Sequence, residues 1–147
     1  MSKKEIKEEY KRLEGDPIIK QRQREAQRAM SQGRQMGQVP GADVVVTNPT
    51  HIAVAIKYDE SKKDGIPLVV AKGQRLIAEQ IKQIADENDI PIIENPPVAR
   101  MLFKMVEIGH YIPQESFKVV AEILAFVFHI KNKKKKDLAK EPKKFDR

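Results

Sequence analysis

Large apolar side chains recur at every second position across Ile52, Val54 and Ile56, and three or four apart across Phe117, Val120, Ala121, Leu124 and Phe128. The first period is that of a strand with one core-facing side, the second that of an amphipathic helix. The same reading along the chain predicts short strands at Asp43 to Val46, Ile52 to Tyr58, Leu68 to Ala71 and Ile90 to Ile93. Gln74 to Asn88 reads as a helix with Ile77, Ile81, Ile84 and Ala85 on one face. Pro96-Pro97 opens another, through Ala99, Leu102, Phe103 and Val106 to Gly109. Pro113 opens the last, Gln114 to Lys131. A strand, a helix and a strand after residue 66 predict a right-handed crossover. The expected fold is α/β: a central four-stranded mixed sheet surrounded by helices, preceded by a long polar N-terminal helix.

The ends of the chain follow a different pattern. Ile6, Tyr10 and Leu13 recur at helical spacing until Gly15-Asp16-Pro17 interrupts. Asp16 is placed to N-cap a second segment with Pro17 at its first position. That segment, to about Gln35, is rich in Gln and Arg, so as a helix it buries little. Gly37 to Gly41 reads as a linker, and Lys133 onward as a disordered tail. The expected organisation is a polar helix and linker over 1–38, a globular α/β domain over 39–131 and a basic disordered tail over 132–147.

Charge sharpens this division. The chain of 147 residues carries a formal net charge of +7. Residues 1–38 hold 10 basic and 6 acidic side chains, and residues 131–147 hold 9 and 3, so the stretch between them is mildly acidic. Basic arms around an acidic core suit a membrane surface or an acidic partner better than a nucleic-acid-binding core. The chain has no cysteine, which excludes a disulfide framework and a thiolate metal site. The longest apolar run, Val119 to Ile130, is interrupted by Glu122 and falls short of the ~20 residues of a spanning helix. Met1-Ser2-Lys3-Lys4 leads into glutamates, not into the apolar stretch of a signal peptide.

The candidate chemistry sits where the strand-forming run Val45-Val46-Thr47 stops at Asn48-Pro49-Thr50-His51 and then resumes. An Asn followed by most residues deamidates when the next N–H attacks the side-chain amide. Pro49 has no N–H, which closes that route. The alternative is attack by the Asn48 side-chain nitrogen on its own main-chain carbonyl, giving a succinimide and a chain break before Pro49. An amide nitrogen is a poor nucleophile, so alignment must supply most of the acceleration, roughly 7–11 kcal/mol at best. His51, an imidazole beside the bond, is placed to move protons, and Thr50 to shape the turn. The plainer reading is a type I turn, which favours Asn first and Pro second. Asn95-Pro96 is a second such pair, just before a helix, and is expected to stay intact.

Asn48-Pro49-Thr50-His51 followed by Ala53-Val54-Ala55-Ile56-Lys57-Tyr58-Asp59 resembles the cytoplasmic domain of the type III export switch proteins, the FlhB/YscU family. Val70-Ala71-Lys72-Gly73, Ile90 to Arg100, Glu107-Ile108-Gly109, Ile112-Pro113 and Val120 to Val127 fit the same family, as does Glu14-Gly15-Asp16-Pro17. The resemblance runs over about residues 5–131 and has a flagellar flavour. It implies the cytoplasmic part of a bacterial inner-membrane protein, joined to an N-terminal transmembrane domain through a neck helix at 3–36. It implies self-cleavage between Asn48 and Pro49, a single event without turnover or cofactor, with Thr50 and His51 completing the motif. The fragments 1–48 and 49–147 are expected to remain together. The implied function is to switch export from rod- and hook-type to filament-type substrates, with a secreted ruler protein and other export subunits as partners. A substrate-holding apolar patch would match Ile66, Pro67, Ala121 and Leu124, with Ile66 bulkier than the family's usual alanine and Leu124 equally readable as core.

Other features carry less. His51, His110 and His129 lie far apart with no carboxylate at ligand spacing, so no metal site is expected. Lys72-Gly73 reads as a strand-to-helix turn rather than an anion cradle. Arg100 suits either a salt bridge or a partner contact. The rival to the export reading is a small nucleic-acid-binding module with basic arms, intact and salt-sensitive in its binding.

Overall fold

The computed structural model describes residues 2–6, 15–49, 51–59 and 65–140. The chain divides into two compact units, Met1–Arg34 and Gln35–Arg147. In the first, residues 3–6 are helical, and helix α1, Pro17–Gln38, runs on into the second unit. The Asp16 carboxylate accepts from the Ile18 N–H at 2.9 Å, so Asp16 caps the helix as its sequence position predicts. No α1 residue is buried. Ile18, Ile19 and Met30 are exposed among the glutamines and arginines.

The second unit is built on a sheet of order β3-β2-β1-β4, from β1 (Val44–Asn48), β2 (Ile52–Asp59), β3 (Ile66–Gln74) and β4 (Ile92–Glu94). β1 pairs antiparallel with β2 and parallel with β4, and β2 pairs antiparallel with β3. Helix α2, Arg75–Glu87, carries the chain from one edge of this mixed sheet to the other. Helices α3 (Pro96–Met105) and α4 (Gln114–Lys140) follow. This is the four-stranded mixed sheet with helices that the pattern predicts.

Both faces of the sheet are covered, which is why β1 reads as an unbroken apolar run. Val44, Val46, Val54, Ile56 and Val69 pack with Val98 and Leu102 of α3 and Val120, Leu124 and Val127 of α4. Val45, Ala53, Ala55 and Ala71 face Ala78, Ile81 and Ala85 of α2. The second interface is lined by alanine from both sides, so helix and sheet approach closely there. Gly73 extends that closeness: a Cβ on it would collide with the Ile77 side chain.

Several boundaries differ from the sequence reading. β3 runs on through Lys72-Gly73, paired with Val54 and Ala53 of β2, to Gln74, where a strand-to-helix turn was read. The expected linker, Gly37 to Gly41, is instead the last two residues of α1 followed by a 3-10 turn, Val39–Gly41, whose Val39 is fully buried in the α2-side core. A glycine and proline mark a turn there, but the apolar residue beside them anchors it. Helix α3 ends at Met105 rather than Gly109, because Val106 is extended and buried at 2%. Gly109, at φ +82°, instead turns the chain onto the edge of β3. There Gly109 N–H donates to Val69 O at 2.7 Å and Ile112 N–H to Pro67 O at 2.9 Å, covering that edge. Helix α4, expected to end at Lys131, continues through the exposed Lys133–Lys136 to Lys140, and residues 141–147 of the expected tail lie outside the described residues. Lysine is a good helix former, and cations near a helix C-terminus oppose the dipole's negative end.

Candidate functional site at the Asn48-Pro49 turn

β1 and β2 are joined by a tight hairpin. Their register ends at the pair Asn48 and Ile52. His51 N–H donates back to the Asn48 carbonyl at 3.0 Å, the bond that closes a four-residue turn with Asn first and Pro second. Asn48 is half-buried, Pro49 and His51 are exposed, and Thr47 behind them is buried. Thr50, the remaining motif residue, lies outside the described residues.

The turn is held by groups from elsewhere in the chain. Asn95 N–H donates to Thr47 O at 2.9 Å, and Arg75 N–H to His51 O at 3.1 Å. Lys82 Nζ lies 3.3 Å from Pro49 O. The main-chain carbonyls of Thr47, Asn48, Pro49 and His51 therefore each accept a donor. A loop whose carbonyls are fixed in this way keeps its peptide planes from reorienting. The donor on the Asn48 carbonyl also sits where negative charge develops if that carbonyl is attacked.

The second Asn-Pro pair has the opposite arrangement. Asn95 N-caps α3, its side-chain oxygen accepting from Val98 N–H at 3.3 Å and its carbonyl from Ala99 N–H at 2.9 Å. The carboxamide of Asn95 is thus turned forward onto the helix, away from its own carbonyl. No hydrogen bond to the Asn48 carboxamide occurs among the described residues. The two dipeptides match in sequence and differ in what occupies the asparagine side chain.

The patch residues differ in exposure. Ile66 is half-buried, Pro67 buried and Ala121 exposed, while Leu124 lies in the core cluster with Val120 and Val127. Ile66 lines an apolar groove of about 700 Å³ with Tyr111, Ile112, Gln114, Phe117 and Lys118. At its rim the Tyr111 hydroxyl donates to the Asp59 carboxylate at 2.8 Å. That bond, with the carboxylate's charge beside it, raises the Tyr111 pKa above its ordinary 10.0. Phe117 and Ile112 were legible as apolar positions, but nothing in their spacing tied them to Ile66. His110, in the segment after α3, and His129, on α4, are exposed, as is Arg100 on α3.

Comparison with known proteins places the chain. A family profile described as FlhB HrpN YscU SpaS Family matches residues 1–127. The chain belongs to that family. It is 53% identical over 133 residues to the flagellar biosynthetic protein FlhB of Bacillus subtilis (strain 168), covering 90% of this chain and 37% of that protein. It is 49% identical over 131 residues to the FlhB of Escherichia coli (strain K12), covering 89% of this chain and 34% of that protein. The chain thus spans about a third of the length of these curated relatives. Among solved structures, the cytoplasmic domain of FlhB from Shewanella putrefaciens matches with a TM-score of 0.67 at 40% identity, covering 71% of this chain and 79% of that one. An EscU C-terminal domain bearing an Asn-to-Ala mutation matches at TM-score 0.60 and 35% identity, covering 65% of this chain and 94% of that one. Family membership of this kind gives the rival nucleic-acid reading no support.

Proposed function

We propose that this chain is the cytoplasmic domain of a flagellar type III export component and that it breaks its own backbone between Asn48 and Pro49. The observation that carries the reading is the pair of asparagines. Asn48 has a carbonyl already engaged by the His51 N–H and a carboxamide with no partner among the described residues, whereas the Asn95 carboxamide is committed to a helix cap. Asn48 Nδ2 attacks the Asn48 carbonyl carbon, the bond to the Pro49 nitrogen breaks, and one proton passes from the carboxamide nitrogen to that departing nitrogen. The products are a C-terminal succinimide on residues 1–48 and a free amino terminus at Pro49. Thr50 and His51 complete the motif, the exposed His51 ring within reach of solvent to relay the proton. The event happens once per molecule, without cofactor.

The break prepares the domain to switch export from rod- and hook-type to filament-type substrates, in concert with a secreted ruler protein and the other export subunits. Substrates dock on the apolar surface assigned to Ile66, Pro67, Ala121 and Leu124, the groove beside Ile66 offering the accessible part. The domain works at the cytoplasmic face of the bacterial inner membrane, residues 1–38 forming the neck from a transmembrane domain and 39–131 the switch domain. Solved EscU domains with an asparagine and the next-numbered proline each replaced by alanine support attention to such a pair.

The test is an intact-mass spectrum under denaturing conditions, with Asn48→Ala alongside. Two masses for 1–48 and 49–147, replaced by one in the variant, are expected. A single full-length mass in both, stable for days at neutral pH, would leave the motif as a hairpin turn alone.

A further inference from the structure

We propose that Lys82 is a positioning residue for the chain break, an inference that rests on the reading of Asn48 given above. Lys82 stands on α2, 34 residues beyond the asparagine in sequence, and the fold brings its ammonium to 3.3 Å from the Pro49 carbonyl oxygen. Glu79, one turn earlier on the same helix, holds that ammonium at 2.8 Å. A lysine on a helix surface ordinarily samples many rotamers. Here an ion pair at its base side and a carbonyl at its far side fix the head group between them.

The position has chemical consequence. The break requires the Asn48 carbonyl carbon to exchange the Pro49 nitrogen for the Asn48 side-chain nitrogen. Both halves of the scissile peptide must keep their orientation while this happens. The upstream half is held by the strand pairing of β1 and by Asn95 on the Thr47 carbonyl. The downstream half begins with a proline, which has no N–H to donate, so of Pro49's own main-chain groups only the carbonyl can hydrogen-bond. Lys82 supplies that anchor. It does not touch the reacting atoms: its partner oxygen lies on the next peptide. It therefore acts by keeping the Pro49 ring in place, which preserves alignment rather than adding a proton-transfer group. Pro96, the first residue of α3 after the second asparagine, follows a side chain already spent on the helix cap.

The experiment is pulsed cell-free synthesis of the full chain, followed by a denaturing time course of the 49–147 fragment. It compares wild type, Asn48→Ala, Lys82→Met and Lys82→Arg. Methionine keeps the length and loses the donor; arginine keeps a donor. One hydrogen bond's worth of alignment predicts a break about three- to tenfold slower in Lys82→Met and within about twofold of wild type in Lys82→Arg. Melting of the uncut Asn48→Ala chain with and without Lys82→Met checks the fold, with Lys82→Gln in place of Met if the latter melts lower. Equal rates for wild type and the donorless variant would overturn the role of Lys82 and leave the asparagine reading standing. So would a Lys82→Arg chain as slow as Lys82→Met. A wild-type chain that never breaks overturns the asparagine reading itself, and this inference with it.

Discussion

Arg75 donates its main-chain N–H to the His51 carbonyl at 3.1 Å, and it does so from a left-handed backbone conformation, φ +52°. A residue with a Cβ is disfavoured there by roughly 1–2 kcal/mol. Arg75 is the first residue of α2 and follows directly on β3, so the helix must start while its N–H still points at the neighbouring turn. The conformation is where strand, helix and hairpin meet.

Arg75→Gly is therefore expected to stabilise the domain. The relief of the left-handed backbone exceeds glycine's extra freedom in the unfolded chain, for a net gain of about 0.5–1 kcal/mol. Arg75→Ala should give none, since it keeps the Cβ. Thermal unfolding of the Asn48→Ala background with each change reads this directly.

Asn95→Ala removes the cap of α3 and should cost about 1 kcal/mol in a denaturant titration. It should leave the fragment pattern untouched, because the break belongs to the other asparagine. A change in fragment masses in this variant would contradict the distinction drawn between the two pairs.

Leu102→Ala empties a fully buried site between α3 and the sheet, on the face that holds Val44 and Val46. The expected loss is about 2–5 kcal/mol of stability by chemical denaturation. Leu76→Ala, at a position 80% exposed on α2, should be close to neutral in the same assay.

Tyr111 titrates above 10.0 because its hydroxyl donates to Asp59. Its raised folded-state pKa means the bond's contribution is present below the ordinary tyrosine range and is lost as pH rises through the raised value. A 295-nm absorbance titration should show a late-ionising component that disappears in Tyr111→Phe. The stability difference between the two chains should be constant near neutrality and shrink only in strong alkali.

The sheet and helices were legible because their periods are strong and their punctuation conventional: prolines open α3 and α4, and Asp16 caps α1. Less legible was whatever depends on contacts distant in sequence. Val39 sits beside a glycine and a proline, so its burial could not be read from its neighbours. Gly109 looked like a helix end, yet it serves the edge of a strand some 40 residues earlier, which only pairing reveals. At the site, the motif announced itself, but the groups holding the turn did not. Arg75, Lys82 and Asn95 come from α2 and the start of α3, and no local pattern relates a surface lysine to a hairpin before the fold exists. The groove beside Ile66 was missed for the same reason, since its far wall comes from the segment after α3.

β1 lies between β2 and β4, and the proposed break falls at its end. A broken chain is then a two-chain protein in which the shorter piece contributes an interior strand, with Val44 and Val46 on one side and Val45 on the other. Separating the pieces would not peel a flap from a finished surface. It would split the sheet between its neighbours and open both cores. Unfolding of the broken form becomes a dissociation, so its midpoint depends on protein concentration, while that of the uncut Asn48→Ala chain does not.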